Sequence, residues 1–164
     1  MLILKRKPSL NFRNRCFGDD DNKVLLAQYH DEEWGVPVYS DCQHFEMLIL
    51  EGAQAGLNWE TVLKKRGNYR KAFKDFDPEK VSIMTDDELE TLLQDDGIIR
   101  NRLKIFSARK NALTFLSIQN QFGSFNDYVW NFVEGKPLLN TWKTFKDVPV
   151  KTPESDALSE DLKK

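Results

Sequence analysis

The chain has 164 residues, 40% hydrophobic and 30% charged, with 24 Lys and Arg against 26 Asp and Glu for a formal charge of −2. A chain of this length can bury roughly 68–70% of the surface its unfolded form exposes, which excludes disorder, collagen-like repetition and small disulfide scaffolds. No apolar run approaches the roughly 18–20 residues of a membrane span, Leu2-Ile3-Leu4 is too short for a secretory signal, and two cysteines make no disulfide framework, so the expected compartment is the cytoplasm.

Residues 1–15 carry Lys5, Arg6, Lys7, Arg13 and Arg15 without an acid or a periodicity, and read as a basic arm before a single domain over 16–164. From Asp41 to Leu57, Phe45, Leu48, Ile49 and Gly52 fall at i, i+3, i+4 and i+7, with Met47 and Leu50 on the other side. That pattern predicts a buried helix, apolar on most faces. Asp77-Pro78-Glu79 sets an N-cap before a proline, and Thr85 with Glu88 reads as a capping box, so two short helices follow one another. Leu103, Phe106, Leu113 and Leu116 carry a helix over 100–121, Ser124 caps a segment through Val133, and Thr152-Pro153 starts a last helix. Trp142 to Val148 is the one weak strand candidate. The fold class is all-α, about seven short helices. The last helix shows only half an apolar stripe, Ala157, Leu158 and Leu162, which predicts continuation past Lys164; a frayed terminal helix is the alternative.

Asp86, Asp87, Glu88, Glu90, Asp95 and Asp96 form an acidic stretch; Arg100, Arg102, Lys104, Arg109 and Lys110 form a basic one, and the two meet at Gly97-Ile98-Ile99. Two readings stand. The charges can complement helix dipoles and stay solvated. Alternatively, a helix, a hairpin and a second helix present free N–H groups and neighbouring cations that grip a phosphate backbone without reading sequence. In that case Lys64, Lys65, Arg66, Arg70 and Lys71 extend the basic face, the acids turn away, and a chain of net −2 still offers DNA a positive side.

Glu51 ends the apolar run and lies between Met47 and Leu48 on a helical wheel. A carboxylate there has to be paired, hydrogen-bonded or set at a cavity, and Gly52, Ala53, Ala55 and Gly56 are too small to fill the space beside it. With Tyr29, Trp34 and Trp59 near in sequence, one reading is a pocket with a single acid and flat aromatic walls, suited to a planar, electron-poor ring. The other is that Glu51 caps a helix or pairs with an arginine, and the aromatics are core.

The segments Tyr29-His30-Asp31-Glu32-Glu33-Trp34-Gly35-Val36-Pro37 and Phe45 to Trp59 resemble signature stretches of the DNA-3-methyladenine glycosylase I (Tag) family, within the helix-hairpin-helix glycosylase superfamily. So do Val62-Leu63-Lys64-Lys65-Arg66, Phe76-Asp77-Pro78 and Gly97-Ile98-Ile99-Arg100-Asn101, and the resemblance runs from about Cys16 to the last residue. It implies cleavage of the N-glycosidic bond of 3-methyladenine in double-stranded DNA, leaving an abasic site. Methylation at N3 makes the base cationic, so it departs neutral and needs little general-acid help. By resemblance, Glu51 is the catalytic residue and accepts hydrogen bonds from the adenine edge, Tyr29 adds a polar contact, and Trp34 and Trp59 wall the ring. Gly97, Ile98, Arg100, Arg102 and Lys104 hold the DNA backbone.

Leu57 is a candidate wedge for the gap left by the flipped nucleotide, with a buried loop leucine as the alternative. Cys16 and His30 match the first two ligands of the family's structural zinc site, whose other His and Cys fall in a C-terminal stretch absent here. Zinc is therefore expected in full-length relatives and not firmly bound by this chain. Cys42 and His44 read as ordinary helix residues. Leu26, Phe17-Gly18 and Arg100 depart from the family or superfamily pattern. The rival function is a truncated relative that binds DNA without turnover. A monomer is expected.

Overall fold

Capping side chains set most of the helix starts. The structure, a computed structural model, describes residues 15, 23–142 and 144–163. Its helices are α1 (Val24–Glu32), α2 (Asp41–Gln54), α3 (Trp59–Ala72), α4 (Pro78–Ser82), α5 (Asp86–Leu92), α6 (Arg102–Phe122), α7 (Phe125–Asn131) and α8 (Pro153–Asp161). Asn58 Oδ1 accepts from Thr61 N at 2.8 Å, Asp77 accepts from Glu79 N and Lys80 N ahead of Pro78, and Asn101 Oδ1 accepts from Lys104 N at 3.1 Å. Thr85 with Glu88, and Thr152 with Ser155, form reciprocal capping boxes. Each such cap contributes about 0.5–2 kcal/mol.

No strand occurs among the described residues. The strand candidate at Trp142 to Val148 instead holds a 3-10 turn, Phe145–Asp147, in which Asp147 Oδ2 accepts from Thr144 N at 2.8 Å and from Thr144 Oγ1 at 3.0 Å. Local side-chain bonding of this kind offers the backbone an alternative to pairing. No helix of the described residues is long and apolar enough to cross a membrane. The basic arm lies outside the described residues except for Arg15.

The chain divides into two compact units, Val38–Asn126, and Met1–Pro37 with Asp127–Lys164. In the first, Phe45, Leu50, Val62, Phe76, Ile105 and Phe115 are almost fully buried. Phe45 meets Phe115 edge-on with ring centroids 5.2 Å apart, and Phe115 stacks on Phe125 at 4.1 Å. Asp41, in the first turn of α2, accepts from Gln119 Nε2 at 2.6 Å, Phe125 N at 2.9 Å and Asn126 N at 2.7 Å, so one carboxylate joins the starts of α2 and α7 to the end of α6.

The buried face of α6 differs from the one its large apolar residues predict. Leu103 is 80% and Leu113 55% exposed, while Ile105, Ala108, Ala112 and Phe115 are buried. Ala108 and Ala112 sit between Ile105 and Phe115 on this face, so it carries small side chains as well as large ones. Likewise, on α2, Phe45, Ile49, Leu50 and Ala53 are buried, whereas Gly52 is exposed. Between α3 and α4, Lys74, Asp75 and Phe76 all take left-handed φ values of 51, 59 and 57°. Such backbone costs about 1–2 kcal/mol per residue. Complete burial of the Phe76 ring and the Lys74–Glu88 ion pair at 3.0 Å offset that cost.

In the second unit, Arg15 bonds both carboxylate oxygens of Asp31, at 2.7 and 3.2 Å. Tyr128 OH donates to Asp161 Oδ2 at 2.9 Å, tying α7 to α8; burial, reinforced by Asp161, pushes the Tyr128 hydroxyl up to about 12. On α8, Leu162 is exposed and Leu158 half-buried.

Candidate base-recognition and DNA-binding site

Two acids of α2 meet different fates. Glu46 is 3% exposed, and its Oε1 accepts from Arg66 Nε at 2.9 Å and Arg70 Nη2 at 2.8 Å, which fastens α2 to α3. The arginine pairing left open for Glu51 thus occurs at Glu46. Glu51, five residues on, is open to solvent and has no hydrogen bond or ion pair among the described residues. Burial nevertheless pushes its carboxyl above the usual carboxylate range. Neighbouring atoms thus crowd the carboxyl although water still reaches it, and its charged form lacks a compensating partner among the described residues. A cation with N–H donors would supply it.

The end of α2 is closed by an unusual set of donors. Its last turn has no basic residue. Gly56 turns the chain at φ +78°, a conformation that favours glycine, and Leu57 N donates to Gln54 O at 2.6 Å. Lys104 Nζ, from the first turn of α6, donates to Ala53 O at 2.8 Å and Ala55 O at 2.7 Å. Leu57, at the tip of this turn, is 40% exposed, and Trp59, which opens α3, is half-buried.

The connection from α5 to α6 is held from α3. Lys65 Nζ donates to Asp96 O at 2.6 Å, Asn68 Nδ2 to Gly97 O at 3.2 Å, and Ile99 N donates to Tyr69 OH at 3.2 Å. Ile98 is 2% exposed and anchors the turn. A Cβ at Gly97 would lie 2.8 Å from Asn68 Nδ2 and 2.9 Å from Asp95 Oδ1, so a larger residue would have to displace the two side chains that bond this turn. Sequence reasoning singled out none of these three α3 side chains for this role. Their partners lie 29–31 residues away, beyond any local signal.

Among the described residues, the N–H groups of Arg100, Arg102 and Leu103 meet no acceptor, and the exposed Arg100 side chain has no partner. Most of the other basic residues bond within the protein, whereas Lys71 and Lys110 are exposed and have no side-chain partner among the described residues. Arg102 pairs with Glu90 and lies 4.2 Å from the Phe106 ring centroid, Lys104 holds carbonyls, and Arg109 binds Asp86 at 2.6 Å and Met84 O at 2.7 Å. Lys64 pairs with Glu60, Lys65 with a carbonyl, and Arg66 and Arg70 with Glu46. The acids of α5 therefore do not turn away from the bases. Antiparallel charge blocks on consecutive helices pair instead, and of the cations expected on the basic face Lys71, Arg100 and Lys110 are left without a partner among the described residues.

In the other unit, Tyr29 is buried and its carbonyl accepts from Glu33 N and Trp34 N. His30 is buried, its ring stacked on Trp34 at 5.1 Å with Nδ1 3.1 Å from Asp31 Oδ1, and Trp34 is 37% exposed. Leu26 is half-buried. Cys16 and Phe17-Gly18 lie outside the described residues, and among the described residues no three His, Cys, Asp or Glu side chains are grouped to hold a metal ion. Cys42 is exposed on α2, and burial holds the His44 imidazole below its ordinary value.

The sequence profile described as methyladenine glycosylase matches residues 20–164. The chain is 49% identical over 150 residues to DNA-3-methyladenine glycosylase 1 of Escherichia coli K12, a match covering 92% of this chain and 80% of that protein. It is 46% identical over 140 residues to DNA-3-methyladenine glycosylase of Haemophilus influenzae, covering 85% and 76%. The solved structure of 3-methyladenine DNA glycosylase I from Staphylococcus aureus is similar with a TM-score of 0.84 at 37% identity, covering 90% of this chain and 77% of that one. With most of its length matched in sequence and in fold, the chain belongs to the methyladenine glycosylase family.

Proposed function

We propose that this chain excises 3-methyladenine from alkylated double-stranded DNA as a monofunctional glycosylase. Water adds to the sugar C1′ as the bond from C1′ to the base breaks. The bonding pair moves into the ring and cancels its positive charge, the base leaves neutral, the water proton passes to solvent, and an abasic site remains. The base has to leave the stack first, at a cost of about a few kcal/mol that alkylation reduces.

The observation that carries this reading is Glu51, accessible, desolvated and without a partner among the described residues in a chain of this family. Its ionised form gains more from a cationic base than from neutral adenine, because attraction between opposite charges grows as the local dielectric falls. Trp59 then walls the ring and Leu57 fills the vacated step. For Tyr29 and Trp34, a polar contact and a ring wall rest on the resemblance alone. A helix-hairpin-helix grip through Gly97, Ile98 and the N–H groups of Arg100, Arg102 and Leu103 holds a phosphate, with Arg100 as its cation. Arg102 contributes less, being paired with Glu90.

A cytoplasmic monomer completes the reading. Cys16 and His30 would be two of the four donors that a structural zinc takes, and no step uses the metal.

The test is single-turnover release of 3-methyladenine from a methylated duplex. Glu51→Gln should slow release about 10–100-fold, the loss of a hydrogen bond to a charged acceptor, while abasic-DNA affinity stays within a few fold. A wild type that binds DNA and releases no base would instead be the relative without turnover.

A further inference from the structure

Lys104 sits in the basic block beside the hairpin, where its charge suggests a phosphate contact, yet its ammonium faces the protein. Its two hydrogen bonds, 2.8 Å to Ala53 O and 2.7 Å to Ala55 O, have the short lengths of charge-assisted bonds. They meet a specific need. A helix end leaves carbonyls without intrahelical partners, and α2 brings no cation of its own to its last turn. Ala55 N takes Gly52 O, Leu57 N takes Gln54 O, and Lys104 takes the two carbonyls between and after them.

The backbone of Lys104 is fixed in turn. Its N–H donates to Asn101 Oδ1, the cap of α6. One residue therefore links the stretch Arg100 to Leu103, in which the N–H groups of Arg100, Arg102 and Leu103 meet no acceptor among the described residues, with the turn that carries Leu57 and with Glu51, four residues before Ala55. No other hydrogen bond between the described side chains and this turn reaches it from α6.

We propose that Lys104 is a positioning residue: it sets Leu57 and Glu51 in register with the DNA backbone held at the hairpin, and does not itself contact phosphate. This inference rests on the base-excision reading above. It makes the geometry of the base-reading turn depend on the phosphate-binding one, so that a duplex seated at the hairpin finds the wedge already placed.

The test compares Lys104→Met, Lys104→Arg, Leu57→Ala and the Lys104→Met/Leu57→Ala double variant. Each is assayed by single-turnover excision at saturating enzyme, and by the salt dependence of binding to an abasic duplex. Lys104→Met should slow excision at least tenfold with a wild-type salt slope, Lys104→Arg should recover part of the rate, and the double variant should be within about twofold of the slower single one. A salt slope lower by about one with an unchanged excision rate would make Lys104 a phosphate contact and overturn the proposal. So would a wild-type rate for Lys104→Met, or additive effects in the double variant. Should Lys104→Met fail to fold by circular dichroism, Lys104→Gln replaces it, its neutral amide reaching at most part of the two-carbonyl bridge: a wild-type excision rate in that variant overturns the proposal. A wild type that releases no base ends it together with the reading beneath it, and is recognised by that control alone.

Discussion

The two halves of α2 carry the same kind of residue to opposite ends. Around Glu46 the helix is closed, with two arginines converging on one buried carboxylate oxygen. At Glu51 it opens onto small residues and a glycine turn, and the carboxyl is left desolvated without a partner among the described residues. A satisfied acid holds the fold together; an unsatisfied one is held ready for a ligand. The same division separates Arg102, spent on Glu90, from Arg100, which has no partner among the described residues.

Breaking the closed half should have the largest effect. Glu46→Ala leaves two guanidiniums around an emptied buried site, a loss of about 3 kcal/mol, toward the low end for a broken buried pair because both arginines are partly exposed. Thermal unfolding should show Tm lower by about 6–12 °C. A Tm equal to the wild type's would mean that Glu46 is no more structural than Glu51.

The next effect is on pH dependence. Because the Glu51 carboxyl is raised, it protonates at higher pH than an ordinary glutamate, and the preference for a cationic base is lost as pH falls through that raised value. Enzymatic release of 3-methyladenine, corrected for release without enzyme, should decline on this acid limb. Glu51→Gln should lose the limb along with the rate. A limb that persists in the glutamine variant would assign it to another group.

Arg100 against Arg102 sharpens the comparison in a second pair. Arg100→Ala should lower the salt slope of DNA binding by about one, while Arg102→Ala should change it less. Equal changes would show that the ion pair with Glu90 opens when DNA binds.

The smallest effect is on the stability of the open half. A raised carboxyl means that ionised Glu51 costs stability at pH above its folded value, a cost that disappears once pH falls below the ordinary carboxylate range and both states are protonated. Glu51→Gln should therefore unfold at a Tm about 1 °C above wild type at neutral pH, with no advantage at acid pH. The solvent exposure of the site keeps this effect small. A lower Tm at neutral pH would count Glu51 among the structural acids.

Much of this was legible before the fold. The cap at Asp77, the box at Thr85 and the helix start at Thr152 appear where their residue types require, because donor and acceptor lie within four residues of each other. The small residues after Glu51 marked where α2 would leave space. The apolar face of α6 was misjudged because Leu103 and Leu113 dominate the periodicity, whereas Ile105, Ala108, Ala112 and Phe115 are the buried residues. Helices α1 and α3 carry no periodicity strong enough to have been singled out.

The sequence by itself determined an all-helical chain, where several helices begin, and the family pattern around Glu51 and Gly97. Only the tertiary structure decided which charges are spent. Glu46 finds its arginines 20 and 24 residues away, and Lys104 reaches carbonyls 51 and 49 residues away. Caps and turns are settled by atoms that the chain's own geometry keeps close, but an ion pair or a borrowed helix cap exists only after packing has brought distant segments together, and no spacing announces it.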